Sequence, residues 1–196
     1  MLHHSHGKLT GDLYRQTEEI LQNAVSEWQA LPPEMLSARP ADGGWSAAQC
    51  LEHLNIYGRY YLPAIEKAIG RARPAKEDSR FRSGWLGGYF TRLMRPGADG
   101  MPASRMKAPK NAVPAEAPDP RVMLVEFIDQ QERMLTLLTA AETLDLGSAR
   151  IPVSIAPFIR LKLGDTFGFM VAHVQRHVMQ AERAVSSVSL RKSVAG

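Results

Sequence analysis

The chain has 196 residues, 44% of them hydrophobic and 22% charged, which is enough for one well-buried domain and too little for two. No apolar run approaches the roughly 20 residues of a membrane span, and the N-terminal MLHHSHGKLTGDLYRQ lacks the apolar stretch of a signal peptide, so a soluble cytoplasmic protein is expected. The net charge of +4 is uneven: residues 71–118 hold ten Lys/Arg against four acids and so carry +6, leaving −2 elsewhere, which argues against a nucleic-acid-binding fold as a whole.

Residues 1–8 have no anchoring pattern and read as a disordered tail. From about Leu9 to Leu31, the residues Leu13, Thr17, Ile20, Ala24, Trp28 and Leu31 recur at spacings of three and four, the pattern of an amphipathic helix that ends at Pro32-Pro33. A second helix begins at GGWSAAQC, where Ser46 is the N-cap and Gln49, three residues on, completes a capping box. Its inward stripe is Cys50, Leu54, Tyr57, Tyr61, Ile65 and Ala68, and His53 shares that face. Gly70 and Pro74 mark its exit.

The 71–118 segment is too long for a plain loop. Within it Trp85, Leu86, Tyr89, Phe90, Leu93 and Met94 fall at i, i+1, i+4, i+5, i+8 and i+9, which predicts a short amphipathic helix lying on the larger ones. It is either a cover for the core or a lid or dimer contact. Such a long connection lets the helices on either side of it run parallel. A third long helix starts with Asp119 as cap and Pro120 in its first position. Val125, Ile128, Leu135 and Leu138 face inward, and the helix ends near residues 141–143. The stretch LDLGSARIPVSIAPFIRLKL crosses one end of the bundle. The fourth helix starts near Gly164-Asp165 and runs to about Val188, with Met170, His173, His177, Ala181, Ala184 and Val188 on one stripe. No segment sustains period-2 alternation, so the expected fold is all-α, a four-helix bundle with no sheet.

Six histidines are present: His3, His4 and His6 in the tail, and His53, His173 and His177 on inward helix faces. His173 and His177 stand at i and i+4, so their rings project from adjacent turns, the spacing used by zinc-binding HExxH helices. Val174-Gln175-Arg176 between them holds no glutamate to act as a base, which disfavours a metalloprotease. His53 is the natural third ligand. Three neutral imidazoles suit Zn, Ni or Fe(II) and leave coordination positions open, as catalytic sites do. The alternative is a set of hydrogen-bonded core histidines, but burying three imidazoles without partners is costly.

Four other residues are candidate pocket-lining groups. Arg176 and Gln180 flank the pair, and the alternative for each is a solvated helix face. Cys50, one turn before His53, is either a soft extra ligand or a small core residue. Trp45 either staples the second helix to the core or stacks on substrate. Glu19, Asp129 and Glu132 are candidate carboxylates for orienting the imidazoles. No Ser/His/Asp order and no phosphate-binding glycine loop occurs.

GGWSAAQCLEHL followed far downstream by AHVQRHVMQAERA resembles the DinB-like superfamily of small four-helix proteins. The shared pattern is a Trp-Ser helix start, a histidine in H-L, and H-x-x-x-H with a following glutamine on the last helix, and the resemblance runs the length of the chain. It implies a single domain over 1–196, built as an up-down-down-up bundle whose long crossover between helices 2 and 3 carries the basic insert. It also implies a divalent metal held by His53, His173 and His177. Relatives include bacillithiol- and mycothiol-dependent transferases, and family members are often homodimers. The implied activity is that of a metal-dependent hydrolase or a thiol S-transferase using a low-molecular-weight thiol, acting on a small-molecule substrate. The alternative is a non-catalytic dimeric bundle that retains the histidines by descent. Nucleic-acid binding, which the DNA-damage-inducible family name invites, is disfavoured, because the aromatics of the insert are not interleaved with its cations.

Overall fold

In the computed structural model, residues 3–77, 79–95 and 107–194 are described. Four long helices form the body: α1 (His6–Asn23), α3 (Ala47–Ile69), α5 (Pro120–Ala140) and α6 (Leu163–Val194). Two shorter helices, α2 (Pro33–Ser37) and α4 (Trp85–Met94), cover them. Among the described residues no helix is long and apolar enough to cross a membrane.

The capping box at Ser46 forms as the sequence predicts: the serine hydroxyl accepts from the Gln49 N–H at 3.2 Å and the Gln49 amide oxygen accepts from the Ser46 N–H at 3.1 Å. Asp119 caps α5 by accepting from the N–H groups of Arg121 and Val122, with Pro120 in the first turn. The predicted helix over 85–94 is α4, packed along α6.

Helix directions follow from side-chain partners. Asn55 reaches Met123, Arg59 pairs with Glu126 and Glu66 with Arg133. The nearly constant offset means that α3 and α5 run parallel. Between α3 and α6 the order reverses, since Tyr57 meets His173 and Tyr61 meets Phe169. The end of the first helical segment also meets the start of α5: Trp28 packs on Phe127, and Arg121 donates to the carbonyls of Gln29 and Leu31. Two apolar clusters fill the interior. One centres on Tyr61, Ile65, Leu138 and Phe167, the other on Trp28, Leu51, Phe127 and Val178.

Several expectations need correction. The first helix starts at His6, three residues early, and its last turn, Ala24–Trp28, is π-helical. The wider turn keeps Trp28 on the core face, where it is buried. Residues 3–8 are not a disordered tail, because His3–Ser5 form strand β1, which pairs antiparallel with β2 (Arg80–Arg82). His6 is buried, and its Nδ1 accepts from the Leu146 N–H at 3.2 Å. The sheet-free expectation fails a second time in the 144–163 connection, where β3 (Arg150–Val153) and β4 (Ala156–Lys162) make an antiparallel hairpin. These strands are short, and only Ile151, Val153 and Leu161 are buried in them, too few for alternation to register. On α5, Val125 faces outward and Leu135 is half-buried, while Leu124, Phe127 and Met134 take the interior. Of the basic insert, residue 78 and residues 96–106 lie outside the described residues.

Candidate metal centre and its cavity

His53 sits nearly two turns into α3, and His173 and His177 lie on successive turns of α6. Because α3 and α6 pack antiparallel, the three rings meet, with centroids 4.6–5.1 Å apart. One ligand atom from each lies within 4.8 Å of the others, so the three histidines are positioned to hold a metal ion.

The tautomers follow from the outer partners. Nδ1 of His53 lies 2.6 Å from the Ala112 carbonyl, which can only accept, so the proton is on Nδ1 and the Nε2 lone pair points inward. Nδ1 of His177 donates to the Gln180 amide oxygen at 3.0 Å, leaving its Nε2 as an acceptor too. Nε2 of His173 lies 3.2 Å from Nε2 of His53. Two nitrogens at about 2.0–2.1 Å from a tetrahedral ion stand roughly 3.3 Å apart, so this edge has the right length. Nδ1 of His173 is buried with no hydrogen-bond partner. Among the described residues no carboxylate bonds to the rings, so none of the candidates Glu19, Asp129 and Glu132 orients them. A backbone carbonyl and a side-chain amide do so instead.

The Ala112 carbonyl is delivered by the crossover. A 3-10 turn, Lys110–Ala112, precedes a stretch tied to the start of α3. Gln49 donates to the carbonyls of Ala115 and Glu116, and the Glu52 carboxylate accepts from the Ala115 N–H. The glutamine of the capping box therefore also fixes the segment that orients the helix's histidine.

Desolvation by burial holds all three imidazoles below the usual histidine range. His53 is lowered by burial, and His173 lies well below by burial first and by its neighbours His177 and His53 next. His177 is brought to about 3, again by burial and then by His53. At neutral pH the cluster is uncharged, with its lone pairs available to a cation. Aromatic rings enclose it. Tyr57 lies 4.4 Å from His173, Phe169 stacks on His173 at an angle of 12°, and Trp45 sits 5.1 Å from His53. Burial pushes the Tyr57 phenol up to about 12, so it remains protonated at neutral pH.

The histidines line a cavity of about 1240 Å³. Trp45, Arg176 and Gln180 line it as well, which unites three of the four pocket candidates. Arg176 is 8% exposed and donates to the Leu93 carbonyl at 3.3 Å, tying α6 to the end of α4. Cys50 is not there. It is fully buried in the cluster of Leu51, Leu54 and Phe127, and burial pushes its thiol up to about 12. In the native protein Cys50 is therefore expected to resist a maleimide that labels it fully once the chain is unfolded. Native labelling at the unfolded rate would contradict its burial.

The sequence reading missed the cavity's other walls. Phe169 and Tyr57 each stand four residues from a histidine on the same helix face, so helical spacing alone could have found them. Arg39 from the 39–44 loop, Arg183 and the β3–β4 hairpin were not signalled. A family model of the DinB superfamily matches residues 16–181, and the chain belongs to that superfamily. No curated protein and no solved structure matches it.

Proposed function

We propose that this DinB-superfamily chain is a divalent-metal-dependent enzyme acting on a small molecule, with His53, His173 and His177 as the protein ligands for Zn, Ni or Fe. The observation that carries the reading is the convergence of three neutral imidazoles whose two outer bonds turn Nε2 inward. The helix directions support a single domain of the up-down-down-up bundle type. An ion at this place supplies Lewis acidity, which either lowers the pKa of water toward about 7 or holds a thiol as its thiolate.

The chain's own groups have definable tasks. The Ala112 carbonyl and Gln180 fix two ligand rings, so little reorganisation accompanies loading. Tyr57, protonated, with its ring against His53 and His173 and in the cavity wall, is the side chain proposed to donate a hydrogen bond to a bound oxygen. Phe90 and Leu93 of α4, together with the hairpin, supply apolar walls to the same cavity. Protein loaded with zinc, nickel or ferrous iron is expected to turn over either a thiol-transfer panel built on low-molecular-weight thiols or an ester and amide panel. The activity should be lost in Tyr57→Phe or reduced by about 10²–10⁴, as for a lost proton donor. Absence of turnover on both panels with metal bound would overturn the enzymatic reading and leave the non-catalytic bundle.

A further inference from the structure

The outward residues of α4 and of the β3–β4 hairpin do not line the cavity, and they combine large exposed rings with cations. Trp85, Tyr89 and Arg92 stand at i, i+4 and i+7 on one face of α4. All three are exposed, Trp85 to 78%. On the hairpin, Arg160 and Lys162 flank the buried Leu161 and so face away from the core, with Arg150 opposite Lys162 in the antiparallel register. Phe158, two residues before Arg160, is 87% exposed. The two elements meet, because Trp85, Arg150, Arg160 and Lys162 line one surface concavity of about 190 Å³ between α4 and the hairpin. Lys162 Nζ also donates to the Arg82 carbonyl at 2.7 Å, which sets β2 alongside. Neither residues 79–95 nor residues 147–162 contain an acid. Asp165 lines the concavity, but it is a single buried carboxylate that already accepts from Ser83 and Gly84, so the cations outnumber it. Rings of this size are unfavourable in water. Tryptophan and tyrosine are at home at a lipid–water boundary, where the ring is buried and the polar edge stays wet, and arginine and lysine are drawn to acidic headgroups.

We infer that this face is a peripheral docking surface for an anionic lipid bilayer: Trp85, Tyr89 and Phe158 enter the interface while Arg92, Arg150 and Arg160 meet the acidic headgroups. The bilayer is touched and not crossed, since among the described residues no helix is long and apolar enough to span it. Charge complementarity selects an anionic partner, and the rings select one with an apolar interior. A single-stranded nucleic acid meets the first condition, but base stacking needs rings set along the track of the strand. Here Trp85 and Tyr89 stand on α4 and Phe158 on the hairpin, with Arg160 beside both Trp85 and Phe158 in the arrangement just described. Acyl chains accept rings at any spacing. The inference makes no use of the histidine cluster, so it stands or falls apart from the proposed activity. It gives the basic insert and the hairpin a shared task on their outer side, while their inner residues Phe90, Leu93, Val153 and Leu161 serve as cavity walls.

The test is co-sedimentation of the full chain with vesicles of phosphatidylcholine alone and with vesicles containing about a third phosphatidylserine, at physiological ionic strength. Binding is expected to be much tighter on the anionic vesicles and to weaken as salt is raised. Arg160→Gln should weaken it about fivefold, the pull of one cation on such a surface. Phe158→Ser should weaken it about tenfold or more, the loss of one ring from the interface. Arg133→Gln removes the same charge from α5, which packs on α1 and α3, and should leave binding nearly unchanged. Of the three tryptophans, Trp28 is buried and Trp45 half-buried. A blue shift of emission on the vesicles therefore reports Trp85, and it should vanish in Trp85→Phe, which still binds. The inference is overturned if the chain ignores anionic vesicles, if it binds neutral ones as tightly, or if the emission does not shift. It is equally overturned if Arg160→Gln or Phe158→Ser binds unchanged, or if Arg133→Gln weakens binding as much as Arg160→Gln. Tighter binding to a single-stranded oligonucleotide at the same salt would assign the face to nucleic acid instead. A dimer in light scattering that Phe158→Ser takes apart would assign it to a second copy of this chain.

Discussion

Replacing His173 with alanine is expected to abolish stoichiometric metal uptake and the stabilisation that comes with it. His173 is the centre of the cluster: its Nε2 is 3.2 Å from that of His53, its ring is 4.8 Å from that of His177, and it is itself buried. Loss of an outer-shell partner costs a metal site about 10–100-fold in affinity, and loss of one of three ligands should exceed that. In the unaltered protein, zinc at a hundredfold excess over its Kd stabilises by about 2.7 kcal/mol, roughly 5–10 °C for a domain of this size. His173→Ala should show no such shift, while a His3→Ala/His4→Ala control, which leaves the cluster intact, should show it in full. The affinity should also fall less between about pH 8 and 6 than that of a site built from ordinary histidines. A free histidine begins to gain a proton in that range, but burial holds these three lower, so protons do not yet compete with the ion. Equal metal content in the variant and the unaltered chain, or affinity that falls with pH as for exposed histidines, would show that the ion is bound elsewhere.

The three-histidine cluster was readable in the sequence because each member lies on a helix, where spacing encodes direction. The phase of Cys50, Leu54 and Tyr61 places His53 inward, and the stripe of Met170 and Ala181 does the same for His173 and His177. The Ser46–Gln49 box sets where that phase begins. What surrounds the histidines was less legible. The group that orients His53 is a backbone carbonyl, and any residue at position 112 offers one. Arg39 and the hairpin reach the cavity through long-range packing, which leaves no local period. The two sheets escaped because strands of three to seven residues carry too few buried positions for alternation to be seen. His6 shows the opposite failure: three histidines close to the chain start look like a tail, yet its burial against Leu146 makes it part of the core.

The largest effect on stability is expected at a residue with no side chain. Gly87 is the one buried position of α4, and it lies against Asp165 in the first turn of α6. The Asp165 carboxylate accepts from the Ser83 hydroxyl at 2.6 Å and from the Gly84 N–H at 2.9 Å, which fastens the start of α4 to α6. Burial raises the Asp165 carboxyl, although these two bonds and the nearby Lys162 and Arg150 pull it down. A Cβ at Gly87 would fall well inside 3.0 Å of the Asp165 Cβ, Cγ and Oδ2. Asp165 is short and doubly bonded, so it can yield only by giving up both bonds; otherwise α4 must lift from α6. Either way Gly87→Ala should cost about 2–4 kcal/mol, a fall in Tm of roughly 5–15 °C. Lifting α4 also withdraws Phe90 and Leu93 from the cavity and breaks the bond from Arg176 to the Leu93 carbonyl. Ligand affinity should therefore drop while metal uptake, which depends on α3 and α6, persists. The double variant Gly87→Ala/Asp165→Gly should be less unstable than the sum of its single changes, because the clash and the lost bonds share the same atoms. Strict additivity would mean that Gly87 is small for some reason other than Asp165.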